Sequence, residues 1–245
     1  MTFHRSIGAA VAVVSLVAVS VAQAESLVFT SSNVVTLPGA QVNGVPSSAN
    51  ACASKGVCAE ALSFNTVAGG LATVTASSGA SGLSALVFQS KEELNAGLGV
   101  AAGKVEKGAF VIHDANYSLD YYNETFTITF ANSVVLSAAN FFPDDRSTYA
   151  LTHELDAIDG FTISVGGGAA VEYSFGTAGG QFVNFATPLT GQSFTFGYAQ
   201  HKSPEDYYLA GLTFTAANVV PEPATWAMMG LGLAGLLLAR RRRVA

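Results

Sequence analysis

Charge is scarce in this chain, and positive charge is scarcest. Its 245 residues hold 11 Lys and Arg against 17 Asp and Glu, a net charge of −6. Isolated cations on an acidic chain offer no electrostatic footprint for nucleic acid, which excludes that partner. Cysteine is nearly absent, with Cys52 and Cys58 the only two. In an oxidising compartment this pair is expected to form one disulfide; no His or third Cys lies near enough in sequence to suggest zinc. A ring that short contributes on the order of 2 kcal/mol, enough to pin a loop but not to build a fold. Pairing leaves no free thiol, and no G-x-S-x-G elbow is present, so nucleophilic catalysis has no sequence support. His153-Glu154 invites a metalloprotease reading, but the second His of that motif would fall at Ala157. His113, His153 and His201 could converge only in three dimensions. No internal repeat of fixed period is present.

What the chain does have is concentrated at its ends. Met1 to Arg5 is a short basic segment, Ile7 to Val21 is apolar and rich in Ala and Val, and Ala22-Gln23-Ala24 is an A-x-A cleavage site. Together they predict a secretory signal peptide over residues 1–24, cut between Ala24 and Glu25. At the other end, Pro221 and Pro223 hold the chain extended and cannot continue a helix from that side. Ala224 to Ala239 is uncharged, and Arg240, Arg241, Arg242 and Arg243 follow. Those sixteen residues would span roughly 24 Å as a helix, against about 30 Å of hydrocarbon, so the predicted transmembrane helix 224–239 is slightly short. Val219, Val220 and snorkelling arginine stems can extend it. Four arginines beside its end hold that side in the cytoplasm, while Trp226 suits the membrane interface. Both ends agree on one topology: the body of the chain outside, the arginine cluster inside.

Pro221-Glu222-Pro223-Ala224-Thr225-Trp226-Ala227, followed by the apolar run and the arginine block, resembles the PEP-CTERM sorting signal in its PEPxxWA variant. The resemblance covers about the last twenty-six positions (219–245 as a segment). It implies that Pro221, Glu222, Pro223, Trp226 and Ala227 are read by exosortase, a membrane-embedded cysteine transpeptidase that removes the tail. It also implies a Gram-negative host that usually makes exopolysaccharide, and a precursor held at the inner membrane before release to the cell surface or extracellular matrix. Very different domains carry this tail, so it leaves the exported domain's activity open.

Processing at both ends leaves roughly Glu25 to Pro223, enough for one substantial core. Arg5 and Arg240 to Arg243 depart while every acid stays, which takes the net charge from −6 to −11. Within the exported domain (25–218), Phe126, Ile128 and Phe130 alternate with threonines. Phe161, Ile163 and Val165 repeat the pattern, then come Gly166-Gly167-Gly168 as a hairpin turn and Val171, Tyr173 and Phe175. Phe194, Phe196 and Tyr198 follow, then Tyr208, Ala210, Leu212 and Phe214. Asn132-Ser133 reads as a turn between Thr125–Phe130 and Val134–Ser137. Earlier strands are predicted over 26–30, 34–37, 71–76 and 108–113, with one helical turn at Lys91 to Leu94. Period-two strands with one apolar face need a second sheet to cover it. The predicted fold is all-β, an antiparallel β-sandwich of jelly-roll-like form. Glu124 opening a strand also loosely resembles exported sandwich domains of PEP-CTERM proteins, where such a residue follows a Gly-rich stretch like Gly97-Leu98-Gly99-Val100.

The densest polar cluster runs from Asp114 to Glu124. Asp114, Asn116, Asp120, Asn123 and Glu124 offer the oxygens that calcium takes, without EF-hand spacing; the alternative is a solvated loop of Asp and Asn turns. Tyr117, Tyr121, Tyr122, Tyr207 and Tyr208 could stack on sugar rings or could be rim packing. Asp144, Asp145, Glu154 and Glu172 could meet across a cleft for glycoside hydrolysis or lie scattered on the surface. The expectation is a non-catalytic, structural or adhesive protein associated with exopolysaccharide, with no cofactor beyond a candidate structural calcium. The alternative is a secreted carbohydrate-active enzyme (hydrolase or lyase) or a carbohydrate-binding module on the same tail.

Overall fold

A computed structural model describes residues 23–29, 41–42, 45–46, 52, 56–90, 97–107, 109–113, 117–119, 123–143, 160–175, 182–199 and 207–217. The described residues form strands β1 (Glu25–Val28), β2 (Gln41–Val42), β3 (Val45–Pro46), β4 (Gly56–Ala59), β5 (Ala61–Asn65), β6 (Leu71–Ser77) and β7 (Ser84–Ser90). They continue through β8 (Leu98–Glu106), β9 (Ala109–Ile112), β10 (Thr125–Pro143), β11 (Gly160–Val165), β12 (Val171–Ser174), β13 (Phe182–Tyr198) and β14 (Tyr207–Ala216). The fold is an all-β antiparallel sandwich.

Two long strands make the sandwich by passing from one layer to the other. The first half of β10 lies between β6 and the last part of β13, and the order β5-β6-β10-β13-β11-β12 forms one layer. The second half of β10 lies between the first part of β13 and β14; beyond β14 come β1 and β8, then β7 and β4, with β9 on β8. Between the layers the β10–β13 register shifts from Thr129↔Ser193 to Val134↔Gly191. Bulges bend strands and let them switch sheets. Asn132 N–H donates to Gly69 O at 3.0 Å and Gln192 Nε2 to Ala131 O at 3.3 Å, which satisfies backbone groups the bulge takes out of the ladder. The Asn132-Ser133 turn expected from sequence is thus a bend inside one continuous strand.

Alternation dictates the core. Phe126, Ile128, Phe130, Val74, Phe161, Phe194 and Phe196 from the first layer meet Leu136, Phe141, Leu209, Leu212, Phe214, Leu98 and Val100 from the second, all buried. Rings touch across the gap: Phe130–Phe214 at 4.9 Å, Phe141–Phe161 at 4.5 Å and Phe29–Phe64 at 5.0 Å. Such pairs contribute about 0.5–1.5 kcal/mol beyond the area they bury.

A second apolar cluster lies on the far side of the β7–β8–β14 layer, where Leu86, Phe88, Ala101, Phe110 and Tyr208 pack under Cys52. This explains a departure from expectation. Tyr208 and Ala210 were expected to share a face with Leu212 and Phe214, but the Asn140/Phe141 register shift and coverage on both sides put Tyr207 and Leu209 in the main core and Tyr208 in the second cluster. Cys52 and Cys58 form the expected disulfide, with Cα atoms 5.7 Å apart, and fasten the loop to edge strand β4. Gly166 and Gly167 make the predicted β11–β12 turn at φ 60° and 74°, values that favour glycine. The predicted strand at 34–37 and helical turn at 91–94 lie outside the described residues.

Candidate functional site

Among the described residues of the stretch that enters β10, Ser118, Leu119 and Glu124 are buried while Asn123 is exposed. Leu119 pairs with Tyr207, N–H to O at 2.9 and 3.3 Å in the two directions, and this draws Ser118 under cover. Ser118 and Glu124 are both fully buried. Tyr117 and Asn123 take left-handed backbone at φ 64° and 53°, turning the chain at either end of this stretch. The Tyr117 ring stacks on Phe88 at 4.7 Å, and its carbonyl lies over Gly99, where a Cβ would collide with it. Of the proposed calcium ligands, Glu124 is buried at the mouth of β10, and Asp114, Asn116 and Asp120 lie outside the described residues. Among the described residues no group of three or more His, Cys, Asp or Glu is placed to hold a metal ion. Gly97 to Val100 is no loop: Gly97 sits at φ 108° against Leu209 and leads directly into β8.

Tyr207 and Tyr208 are not an exposed sugar platform. Tyr207 is fully buried among Phe141, Phe161 and Phe175, and its hydroxyl donates to Gly197 O at 2.9 Å. Burial pushes that hydroxyl well above the ordinary tyrosine range. Tyr208 is 5% exposed and lies against Phe88. Tyr121, Tyr122, Asp144, Asp145, Glu154, His153 and His201 lie outside the described residues. Glu172 sits on β12 opposite Thr162. His113 meets Glu106 at 3.1 Å, and Lys104 meets the same carboxylate oxygen at 3.0 Å. The lysine first, then the histidine, holds the Glu106 carboxyl below its usual range.

A feature the sequence displayed only strand by strand is the outer face of the first layer. Register places Ser63, Thr73, Thr129 and Ser193 in one row across the strands, with Ser63 fully buried at its β5 end, and Thr75, Thr127, Thr195 and Ser164 in the next. Ser77, Thr125, Gly197 and Thr162 follow, ending on Glu172 at the edge. Thr127 and Thr195 hydroxyls bond at 2.8 Å, and those of Ser63 and Thr73 at 3.3 Å. Gly197 is covered by its neighbours in the row, since a Cβ there would meet Thr162 Oγ1 at 2.9 Å and Thr125 Cγ2 at 3.2 Å. Rows about 4.8 Å apart between strands and about 6.7 Å apart along them present hydroxyl and methyl groups with no charge until the Glu172 edge.

At the C-terminus, residues 219–243 match the PEP-CTERM protein-sorting motif. The chain carries a PEP-CTERM sorting signal. A PEP-CTERM protein is exported and processed at the membrane, and the signal generally marks an exosortase substrate. The signal residues Pro221, Glu222, Pro223, Trp226, Ala227 and Arg240 to Arg243 lie outside the described residues, as does the apolar run 224–239. Among the described residues no helix is long and apolar enough to cross a membrane. No curated protein matches the chain. Among solved structures, the family 32 CBM from C. perfringens NanJ in complex with galactose is similar at 8% identity. That match covers 78% of this chain and 98% of the other, with a TM-score of 0.26.

Proposed function

We propose that the exported domain of this PEP-CTERM protein is a non-catalytic structural or adhesive module of the cell surface or extracellular matrix, bound to exopolysaccharide. An exosortase-type transpeptidase releases it from an inner-membrane precursor. The observation that carries the reading is the hydroxyl-lined outer face of the first layer. After processing the chain has a net charge of −11, so most of its surface repels acidic polymers. From β6 to β11 the Thr and Ser rows form a neutral area, exposed at Thr75, Ser77 and Thr129 and half-buried elsewhere, where a polyhydroxylated chain can exchange water hydrogen bonds for protein ones and lay its C–H faces on threonine methyls. A site built on strands is also preorganised, so little ordering cost opposes weak, repeated contacts. Calcium, if held at the β10 entrance through Glu124, would have a structural role there.

The test is retention of the purified mature protein on the host's exopolysaccharide, with reducing ends assayed in parallel. Retention without turnover is expected, and Thr127→Glu with Thr195→Glu should weaken it at least tenfold by placing like charges across one strand pair. No retention on that polymer contradicts the proposal. Release of reducing ends would replace it with the enzyme reading.

A further inference from the structure

We propose that strand β1 is a strap whose docking shields the Ala24–Glu25 bond, so that cleavage there must precede closure of the strap, and that the Glu25 carboxylate is the clasp that holds it. The inference rests on the signal-peptide reading and is independent of any polysaccharide.

The strap begins at the cut. Gln23 and Ala24 are exposed and belong to no strand, whereas Glu25 opens β1. Every residue from Glu25 to Val28 pairs with β14, in the register Glu25↔Phe214 to Val28↔Gly211. Phe29 N–H adds a bond to Ala210 O at 2.9 Å. Two side chains anchor the strap: Leu27 is 6% exposed, and Phe29 is fully buried with its ring edge-on to Phe64. Gly211 allows the close approach, since a Cβ there would meet Leu27 O at 2.8 Å.

Glu25 then reaches across to the other layer. Its carboxylate accepts from Val67 N–H at 2.9 Å and 3.0 Å, one distance to each oxygen, and from Ala68 N–H at 2.7 Å. These amides belong to the turn joining β5 to β6. A turn that presents successive N–H groups is a ready anion cradle, and charge-assisted bonds of this kind exceed neutral ones in strength. The residue directly after the predicted cut therefore ties the two layers together.

A peptidase takes its substrate as an extended segment, reading backbone groups on both sides of the bond much as an added strand would. In an antiparallel pair alternate residues turn their amides and carbonyls to the partner, and those of β1 that bond to β14 cannot serve a peptidase cleft at the same time. In the docked chain, cleavage is then limited to the fraction of molecules with the strap open. Export follows a required order: cut first, then dock. A precursor that closes early keeps its N-terminal apolar segment.

The test treats folded, detergent-solubilised full-length precursor with purified signal peptidase, using a peptide of residues 12–32 as the unstructured reference and mapping the new N-terminus by mass spectrometry. The precursor should be cut at least tenfold more slowly than the peptide. Glu25→Gln, normalised to its own peptide, should be cut about fivefold faster than the wild-type precursor. Val67→Pro removes a clasp donor without touching the cut site and should do the same. Near-UV circular dichroism of both variants must match the wild type, and amide exchange must speed up in β1 ahead of β10. A folded precursor cut as fast as the peptide overturns the proposal. So do folded variants cut no faster than wild type, or a cut at any bond other than Ala24–Glu25.

Discussion

Phe141 is where the two layers depend on each other most directly. Fully buried on the second half of β10, its ring contacts Phe161 at 4.5 Å, Phe175 at 5.0 Å and Tyr207 at 5.3 Å, with Phe196 at 6.4 Å. Phe141→Ala removes the ring from the middle of that cluster and leaves a cavity that flanking strands, held by ladders on both sides, cannot collapse. Buried Phe→Ala changes cost about 3–5 kcal/mol, and loss of several edge-to-face contacts puts this one toward the upper end. For a domain of this size, a loss of about 4 kcal/mol lowers Tm by roughly 8–16 °C. Phe182→Ala on β13 is the internal control, because Phe182 is 53% exposed and its truncation should cost under about 0.5 kcal/mol. Urea titration of the mature protein with the disulfide intact, followed by far- and near-UV circular dichroism, gives both values from one pair of experiments. A Phe141→Ala cost below about 1 kcal/mol, or one equal to that of Phe182→Ala, would refute closure of both layers on one aromatic core.

Other outcomes follow from the same contacts. Cys52→Ala with Cys58→Ala should lower stability by on the order of 2 kcal/mol and leave the main core intact, so near-UV signals should persist at low urea while the midpoint falls. Tyr207→Phe removes a buried hydrogen bond to the Gly197 carbonyl and should cost about 0.5–1.5 kcal/mol; a cost near zero in the same titration would mean that hydrogen bond is not formed. Glu106 has a folded-state pKa below its unfolded value, so its contribution is fully present above the unfolded carboxyl range and is lost as pH falls through the lowered value. Wild type and Glu106→Gln should therefore converge in thermal stability as the solution is acidified, and a difference that grows toward low pH would contradict the Lys104–Glu106–His113 arrangement.

Much of the fold could be read locally. Phe126, Ile128 and Phe130, or Phe161, Ile163 and Tyr173, declare their strands because one face is dry and the other wet, and the Gly166-Gly167 turn declares itself through a backbone conformation other residues resist. Strand continuity could not be read the same way. Asn132 and Ser133 carry ordinary turn chemistry, and only pairing to Gly69 and to β13 and β14 keeps β10 in one piece. β14 misled for a related reason: with both faces covered, Tyr207 to Leu212 has no solvent side to alternate with. The sorting signal and the two proposed surfaces divide similarly. The sorting signal is linear, so it is legible as text. The hydroxyl rows exist only after five strands are placed side by side, and the Glu25 clasp depends on a turn forty-two residues away in sequence. For Tyr207 and Tyr208 the sequence leaves sugar stacking and rim packing open, and only pairing with Leu119 and Phe142 assigns them to the interior.

The account rests on a terminal signal that is read at the membrane and removed, and the mass of the mature C-terminus tests this most directly. Protein isolated from the cell surface of the host should end upstream of Arg240, with the apolar run 224–239 gone and its mass placing the new terminus at or near Pro221 to Ala227. A mature species whose mass still includes Arg240 to Arg243 would contradict processing at this signal and leave a plain membrane anchor in its place.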